Sequence, residues 1–311
     1  MDFTEPPNWR EMLGKRALGY QNWRLRRRRH HQRRILDRLI VDLASQRPDH
    51  IVITGDLVNL ALPGEFRAAA AWLRELGRPE RISVVPGNHE AYARVPFERS
   101  LGLWRDYMTG DAATRQWFAG GESPFPYVRV RGQVALVGLS SAVTSPPFMA
   151  YGRLGRSQIE RLGVILRRLA KDDLYRIVLI HHPPISASAA RWNQLLDEKA
   201  LRAVLQSNGA ELVLHGHLHR RSIRYLRGPK TITPVVGVPS ASLVFSERRP
   251  SAAYHLYDIT GSGKNSSLEI TTRSLKATGR GFSDAAFAES AALPEPLRGI
   301  PAIQTARAYT L

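Results

Sequence analysis

Four short apolar segments of this chain end in the same way, and this shared pattern constrains the fold more than any other feature. Each is a run of aliphatic, largely β-branched residues typical of a buried strand, and each stops at side chains that can bind a metal ion. The segments are IVITGDLVN (51–59), ISVVPGNHE (82–90), IVLIHHPP (177–184) and LVLHGHLH (212–219). Helical patterns separate them, so we predict an α/β fold.

The pattern between and after these segments predicts the remaining elements. Helices are expected over residues 24–46, 63–76, 156–170 and 195–206, and in part over 94–121, with a hairpin at 127–139 around Gly132. Beyond residue 215 we expect short antiparallel strands at 222–226, 231–238, 252–259 and 267–273, forming a second sheet packed against the first. We therefore predict one domain over residues 1–274, followed by an Ala-, Gly- and Pro-rich tail of low order over 275–311.

Composition limits the kind of site that these residues can build. The 311 residues include no cysteine, so any metal must be held by imidazole, carboxylate and amide groups. No segment approaches the roughly 18 apolar residues of a membrane-spanning helix, and the N-terminus lacks the apolar stretch of a secretory signal. We therefore expect a cytoplasmic protein.

The net charge of +18 is unevenly distributed along the chain. Residues 10–34 contain ten Lys or Arg against one acid, Glu11, which places half of the excess in this block. Such a block attracts nucleotides, nucleic acid or phospholipid headgroups. The alternative is an ordinary solvated helix face in a protein that is rich in arginine throughout.

The strand ends predict a metal site. Loops beyond the carboxyl ends of neighbouring parallel strands meet at one rim of a sheet, which would bring together Asp56, Asn88, His181, His217 and His219. A carboxylate can bridge two divalent ions, while an amide oxygen and neutral imidazoles complete the coordination without adding charge. Two such ions activate water and stabilise the attacking and leaving oxygens at phosphorus.

The motif set GD-x-x-N, GNHE, HHPP and GHLH, within residues 50–240, resembles the calcineurin-like metallophosphoesterase superfamily. It is most similar to bacterial members related to cyclic-nucleotide phosphodiesterases. The resemblance implies a four-layer α/β/β/α sandwich of two mixed sheets flanked by helices, with a two-metal site between the sheets. By this comparison, we expect the first strand of that fold to be missing from this sequence.

The resemblance also implies a role for each matching residue. Asp56 would bridge the two ions, Asn88, His181 and His217 would hold the second, and His219 would belong to the first. His89 would be the catalytic residue that stabilises or protonates the leaving oxygen. Glu90 would orient His89, and Asn59 would lie near the rim. The remaining histidines are expected to support the fold or lie at the surface: His30, His31, His50, His182 and His215.

The chain departs from the family pattern at its start, where no strand ending in Asp-x-His is found. Those two residues would complete the first metal shell, so we expect weak or single-metal occupancy. Either the start of the chain was assigned too late, the interpretation we favour, or this is a divergent member with one intact ion site. The residues do not distinguish Mn, Fe, Zn or Co.

We therefore predict a metal-dependent hydrolase of phosphoester bonds, phosphodiesters above all, acting by attack of metal-bound hydroxide on phosphorus. Its substrate would be a phosphorylated small molecule or a nucleotide. The main alternative is a catalytically impaired relative that binds nucleic acid or an anionic membrane, at its periphery, through residues 10–34. A nuclease on the same fold is a third candidate, which no aromatic platform or added domain favours.

Overall fold

The computed structural model describes residues 12, 14–118, 123–185, 191–229, 231–247, 250–261, 265–285 and 307–310. Seven α-helices are found there: α1 (Lys15–Asn22), α2 (Arg28–His30), α3 (Arg33–Ser45), α4 (Pro63–Leu76), α5 (Ala112–Arg115), α6 (Arg156–Lys171) and α7 (Glu198–Asn208). A π-helical turn, Trp23–Arg27, joins α1 to α2. Short 3-10 helices cover Pro79–Arg81, Phe97–Arg99, Leu101–Met108, Gln116–Phe118 and Arg191–Asn193. In this described part of the chain, no helix has the length and apolar character needed to cross a membrane.

The same residues form twelve strands. They are β1 (Ile51–Ile53), β2 (Ile82–Val84), β3 (Tyr127–Arg131), β4 (Val134–Gly138), β5 (Tyr175–Ile180), β6 (Leu212–His215), β7 (Ser222–Arg227), β8 (Ile232–Gly237), β9 (Ala253–Thr260), β10 (Ser267–Leu275), β11 (Phe282–Ala285) and β12 (Arg307–Thr310). Sheet one has the order β11-β10-β9-β12-β1-β2, and sheet two the order β3-β4-β5-β6-β8-β7. Both sheets are mixed, since each combines parallel and antiparallel pairs.

Side chains that alternate along the strands define four layers. In β5, Leu179 joins the core shared by the two sheets, whereas Ile180 joins a second core covered by α6 and α7. In β9, the Tyr254 hydroxyl donates to Asp42 of α3, and the next residue, His255, lies 3.3 Å from the Gly237 carbonyl of sheet two. Neighbouring residues of a strand point to opposite faces of its sheet. Each sheet therefore has an inner face against the other sheet and an outer face covered by helices. The predicted α/β/β/α sandwich is confirmed.

The helix predicted over residues 24–46 is interrupted. At His31 and Gln32 the backbone is extended, and it pairs with the segment 242–244: Gln32 N–H donates to the Ser242 carbonyl and Val244 N–H to the His30 carbonyl, both at 2.9 Å. These tertiary hydrogen bonds replace the helical ones. The arginine-rich stretch is therefore separate from the amphipathic α3, whose Leu39 and Leu43 are buried.

The sequence interpretation required the four motif-bearing strands to lie side by side in one sheet. In the structure they belong to two sheets. Strands β1 and β2 are neighbours in sheet one, and β5 and β6 are neighbours in sheet two. The later strands also divide between the sheets, because β8 pairs in parallel with β6 while β9 to β11 extend sheet one. The candidate site is therefore formed where the strand ends of two sheets face each other.

The C-terminal segment contributes to the domain. Strand β10 ends at Leu275, so the boundary expected at residue 274 falls inside it, and β11 pairs with β10. Strand β12 lies inside sheet one, antiparallel to β9 and parallel to β1. The sequence did not predict β12, because its partner strands β1 and β9 are distant along the chain and no local pattern reveals such pairing. Residues 286–306 and 311 of the predicted tail lie outside the described residues.

Candidate metal centre

A pocket lies between the strand ends of the two sheets. Sheet one supplies Asp56, Asn59 and His89, and sheet two supplies His181, His217 and His219. The N-terminal segment closes one side with Trp23, Arg27 and His31. Motif residues from four distant parts of the sequence therefore share one cavity.

Asp56, His217 and His219 have left-handed backbone conformations, with φ of 61°, 64° and 51°. This region is uncommon for residues other than glycine, and it tends to cluster at functional sites. The loops also pack too tightly for larger residues. A Cβ on Gly87 would lie 2.2 Å from Asp56 Oδ1, and one on Gly55 would lie 2.5 Å from the Gly87 nitrogen. The glycines of the two motifs let these loops touch.

The buried carboxylate of Glu90 holds the two loops together. It accepts backbone N–H groups from Asp56 (2.9 Å), Leu57 (2.6 Å) and Val58 (3.1 Å) of one loop, and from Gly87 (2.7 Å) of its own. Burial raises the pKa of Glu90, and the neighbouring charge of Asp56 raises it further. Glu90 was expected to orient His89. In the described part of the chain its hydrogen bonds go to backbone instead, because its side chain points back under the Gly-Asp loop.

Asn88, His181 and His217 form a compact group. Asn88 Oδ1 lies 3.0 Å from His181 Nε2 and 3.0 Å from His217 Nδ1. The other nitrogen of each ring faces a backbone carbonyl, at 2.6 Å from Thr54 O and 2.9 Å from Asn193 O. A carbonyl only accepts, so His181 Nδ1 and His217 Nε2 must carry their protons.

This tautomer assignment provides a test of whether the group suits a cation. When the rings are neutral, His181 Nε2 and His217 Nδ1 each carry a lone pair. Both lone pairs face the amide oxygen of Asn88. Burial lowers the pKa of His217 to about 3, so this ring is neutral at pH 7. Lone pairs that face one another repel unless a positive ion lies between them. The donor set therefore fits a divalent cation such as those that imidazole and amide oxygen bind.

Asp56 adds a negative charge to this group. Its Oδ2 lies 3.4 Å from His181 Nε2, and its Oδ1 accepts the His89 backbone N–H at 3.0 Å. Burial acts to raise the pKa of Asp56, but the facing histidines and the His89 N–H outweigh it, so the pKa is lowered. An ionised carboxylate therefore lies beside His181 of this group.

His219 lies on the other side of Asp56 together with a residue that the sequence had assigned to packing or the surface. The rings of His31 and His219 meet edge to face, with centroids 5.7 Å apart. His31 Nδ1 is 3.0 Å from Ser242 Oγ. Burial, together with the positive charges of His219 and Arg27, lowers the pKa of His31 to about 3. The break before α3 places His31 in the pocket, and no local signal marks this.

His89 is oriented by Asn59 and contacted by Arg27. The His89 Nδ1–H donates to the Asn59 carbonyl at 2.6 Å, and its Nε2 accepts from Arg27 Nη1 at 2.8 Å. Asn59 was expected near the rim, but it is buried. Burial lowers the pKa of His89 to about 4, with the charge of Asp56 opposing this and that of Arg27 adding to it.

His182 also lies close to the group, and its ring nitrogen comes within 4.8 Å of those of His181 and His217. Both of its ring nitrogens have protein partners, however. Nδ1 is 2.8 Å from Ser141 Oγ, and Nε2 is 3.0 Å from the Ala150 carbonyl. If His182 bound a metal ion, it would lose one of these buried hydrogen bonds. Its hydrogen bonding therefore favours a role in supporting the neighbouring histidines.

These features agree with a comparison of the sequence with known families. The profile of calcineurin-like phosphoesterases matches residues 29–221, more than half of the chain. The chain belongs to the calcineurin-like phosphoesterase family. It is thus an enzyme of the phosphoesterase class, as the motifs predicted.

Two curated relatives and one solved structure are similar to this phosphoesterase. A probable cyclic nucleotide phosphodiesterase of Synechococcus sp. is 23% identical over 228 residues, which cover 71% of this chain and 76% of that protein. A cAMP/cGMP dual specificity phosphodiesterase of Mycobacterium tuberculosis is 29% identical over 181 residues, 56% of this chain and 49% of that one. A dimetal phosphatase from Danio rerio, 13% identical, aligns over 80% of this chain and 85% of its own with a TM-score of 0.52, which shows a shared fold.

Within this phosphoesterase, residues of all four motifs line one pocket, and Asn88 contacts two of them, His181 and His217. Arg27 and His31 line the pocket, although the sequence had assigned neither of them to the site. The charge block had placed Arg27 among solvent-facing arginines. A signal that could have found it is the aromatic Trp23 one helical turn earlier, which lines the same pocket.

Proposed function

We propose that this phosphoesterase hydrolyses phosphodiester bonds of nucleotides or similar small molecules with divalent metal ions. The observation that carries the proposal is the group of lone pairs from Asn88, His181 and His217 beside the ionised Asp56. The names of the two curated relatives, both cyclic-nucleotide phosphodiesterases, support the substrate class.

The residues divide into two sets of donors. Asn88 Oδ1, His181 Nε2 and His217 Nδ1, with one oxygen of Asp56, would hold one ion. Asp56 and His219 would hold a second ion, which has fewer described ligands. When bound, a divalent ion supplies Lewis-acid activation of water and of the phosphoryl oxygens. Manganese, iron, zinc and cobalt all suit these donors.

His89 would act on the leaving oxygen from outside the metal coordination. Its Nδ1–H is committed to the Asn59 carbonyl, so Nε2 is the atom at which a proton for the leaving group would be held. The backbone N–H of His89 donates to Asp56. His89 is thus tied to Asp56, which would fix its position relative to a bound ion.

Hydrolysis of bis-p-nitrophenyl phosphate and of 3′,5′-cyclic AMP, with added manganese, tests this proposal. We expect Asp56→Asn to lower kcat/KM by at least about a hundredfold, because metal binding and water activation are lost together. Asp37→Asn is the matched control, since Asp37 lies on α3 with 54% of its side chain exposed. A protein inert with Mn, Fe, Co and Zn, or equal rates in Asp56→Asn and the control, would rule the proposal out.

A second candidate function is binding to an anionic lipid surface through residues 10–34. Arg24, Arg28 and Arg29 are exposed in this segment, and so are Leu18 (44%) and Leu25 (62%). Exposed leucines among arginines favour a lipid surface over nucleic acid. Sedimentation with phosphatidylserine vesicles should show binding that weakens with salt. A double variant, Leu18→Ser with Leu25→Ser, should reduce it, and binding to DNA alone would contradict this candidate.

A further inference from the structure

One arginine of the basic block turns into the pocket. Arg27 ends the π-helical turn Trp23–Arg27 and lines the cavity with Asp56 and His89. Its Nη1 lies 2.8 Å from His89 Nε2 and 3.0 Å from Asn59 Oδ1. A π-helical turn carries an extra residue, and such turns recur at functional sites. The turn changes the direction of the segment just where Arg27 enters.

The guanidinium of Arg27 has no carboxylate within ion-pair distance in the described part of the chain. Three other partly buried arginines do: Arg131 pairs with Asp111, Arg176 with Glu211 and Arg273 with Asp42. The two contacts of Arg27 are to a neutral imidazole and an amide oxygen. Charge-assisted bonds to an oxyanion are roughly twice as strong as bonds between neutral groups. Arg27 therefore has charge and donor capacity that its present partners leave unused.

Asn59 offers a second unused donor at the same place. Its side chain is 8% exposed, and among the described residues its Nδ2 finds no hydrogen-bond partner. A buried unpaired amide group costs stability, and a ligand oxygen bound beside Arg27 would relieve this cost. Since Nδ2 only donates, that ligand must supply an acceptor.

We propose that Arg27 and Asn59 form an oxyanion subsite beside His89, which binds a non-bridging phosphate oxygen of the substrate. This inference rests on the proposed function and extends it to a substrate-binding residue outside the family motifs. With phosphate bound, the guanidinium moves from His89 Nε2 to the stronger oxyanion acceptor. His89 Nε2 then faces the leaving oxygen. The N-terminal segment thus supplies part of the substrate site.

Binding of inorganic phosphate to the zinc-loaded full chain, measured by isothermal titration calorimetry, tests the subsite. We expect Arg27→Gln to weaken phosphate binding by at least about tenfold, because a charge-assisted bond is lost. Arg27→Lys should be intermediate, since lysine keeps the charge but not the planar fork. Arg29→Gln, an exposed position in the same segment, removes the same charge and should stay within about twofold.

Zinc content measured on each sample separates this inference from the proposed function. Equal phosphate affinity in Arg27→Gln and wild type at equal zinc content would overturn the subsite, and so would loss of affinity of the same size in Arg29→Gln. If Arg27→Gln does not fold, Arg27→Lys carries the test. Failure of the proposed function looks different: the wild-type chain would then bind no zinc and hydrolyse no ester.

Discussion

Glu90 Oε2 accepts the backbone N–H of Asp56 at 2.9 Å, across 34 residues of sequence. The same carboxylate binds Gly87 in its own loop, so one buried side chain fixes the relative position of two metal-binding loops. The position of the loop carrying Asp56 therefore depends on the side chain of Glu90. This arrangement explains how Asp56 keeps its left-handed conformation without being a glycine.

We expect Glu90→Ala to lower the free energy of unfolding by about 1–3 kcal/mol, because several buried N–H groups lose their acceptor. Zinc affinity should fall by roughly 10–100-fold, as it does when groups that orient metal ligands are removed. Urea unfolding and a competitive zinc titration measure the two effects. Glu160→Ala, whose side chain is 61% exposed, serves as the control. Unchanged zinc affinity in Glu90→Ala would show that the loops hold their position without it.

Gly87→Ala should disable the enzyme while leaving most of the fold intact. The added Cβ would lie 2.2 Å from Asp56 Oδ1 and 2.7 Å from His181, so the carboxylate must move. Displacement of a catalytic group by about 1 Å can cost roughly a hundredfold in rate. Gly64→Ala is the matched control, because its nearest neighbour would be 3.8 Å away. Similar kcat/KM values for the two variants would contradict the close approach of the loops.

A protein with this sequence should hold one divalent ion tightly and a second weakly. Asn88, His181 and His217 with Asp56 provide a full donor set, whereas the other side has His219 and the shared Asp56. Metal content by mass spectrometry after dialysis against a weak chelator should approach one ion per chain. Two ions retained under the same conditions would contradict this prediction and indicate further ligands.

Stability should fall as the pH decreases below 6.5, in part because of His255. Burial lowers the pKa of this histidine from 6.5 to about 4, while its ring contacts Thr272 Oγ1 at 2.9 Å. Between these two values the unfolded chain binds the proton and the folded one does not, so protonation favours unfolding. The contribution is full above pH 6.5 and is lost as the pH falls towards the folded pKa.

The size of this effect can be measured on a variant. One shifted histidine contributes about 1.4 kcal/mol per pH unit over the window. Urea unfolding of metal-free protein between pH 7 and 5 should therefore give a shallower pH dependence for His255→Asn than for wild type. Parallel curves would mean that His255 titrates alike in both states.

Local sequence predicted the elements where the signal is local. The helix over 63–76 was predicted with its observed bounds, because Pro63 suits the first helical position and Gly77 the end. The four apolar runs were confirmed as the strands β1, β2, β5 and β6. The glycines before Asp56 and Asn88 lie where the two loops touch, a contact that the sequence did not predict.

The sequence by itself determined which side chains end the buried strands, because a strand is recognised from a run of consecutive apolar residues. Only the tertiary structure decided that those strands belong to two sheets, that β12 lies between β9 and β1, and that His31 and Arg27 reach the pocket. Each of these outcomes depends on pairing between segments far apart in sequence. The free energy of such pairing comes from packing and hydrogen bonds with the rest of the molecule, which no short stretch of residues contains.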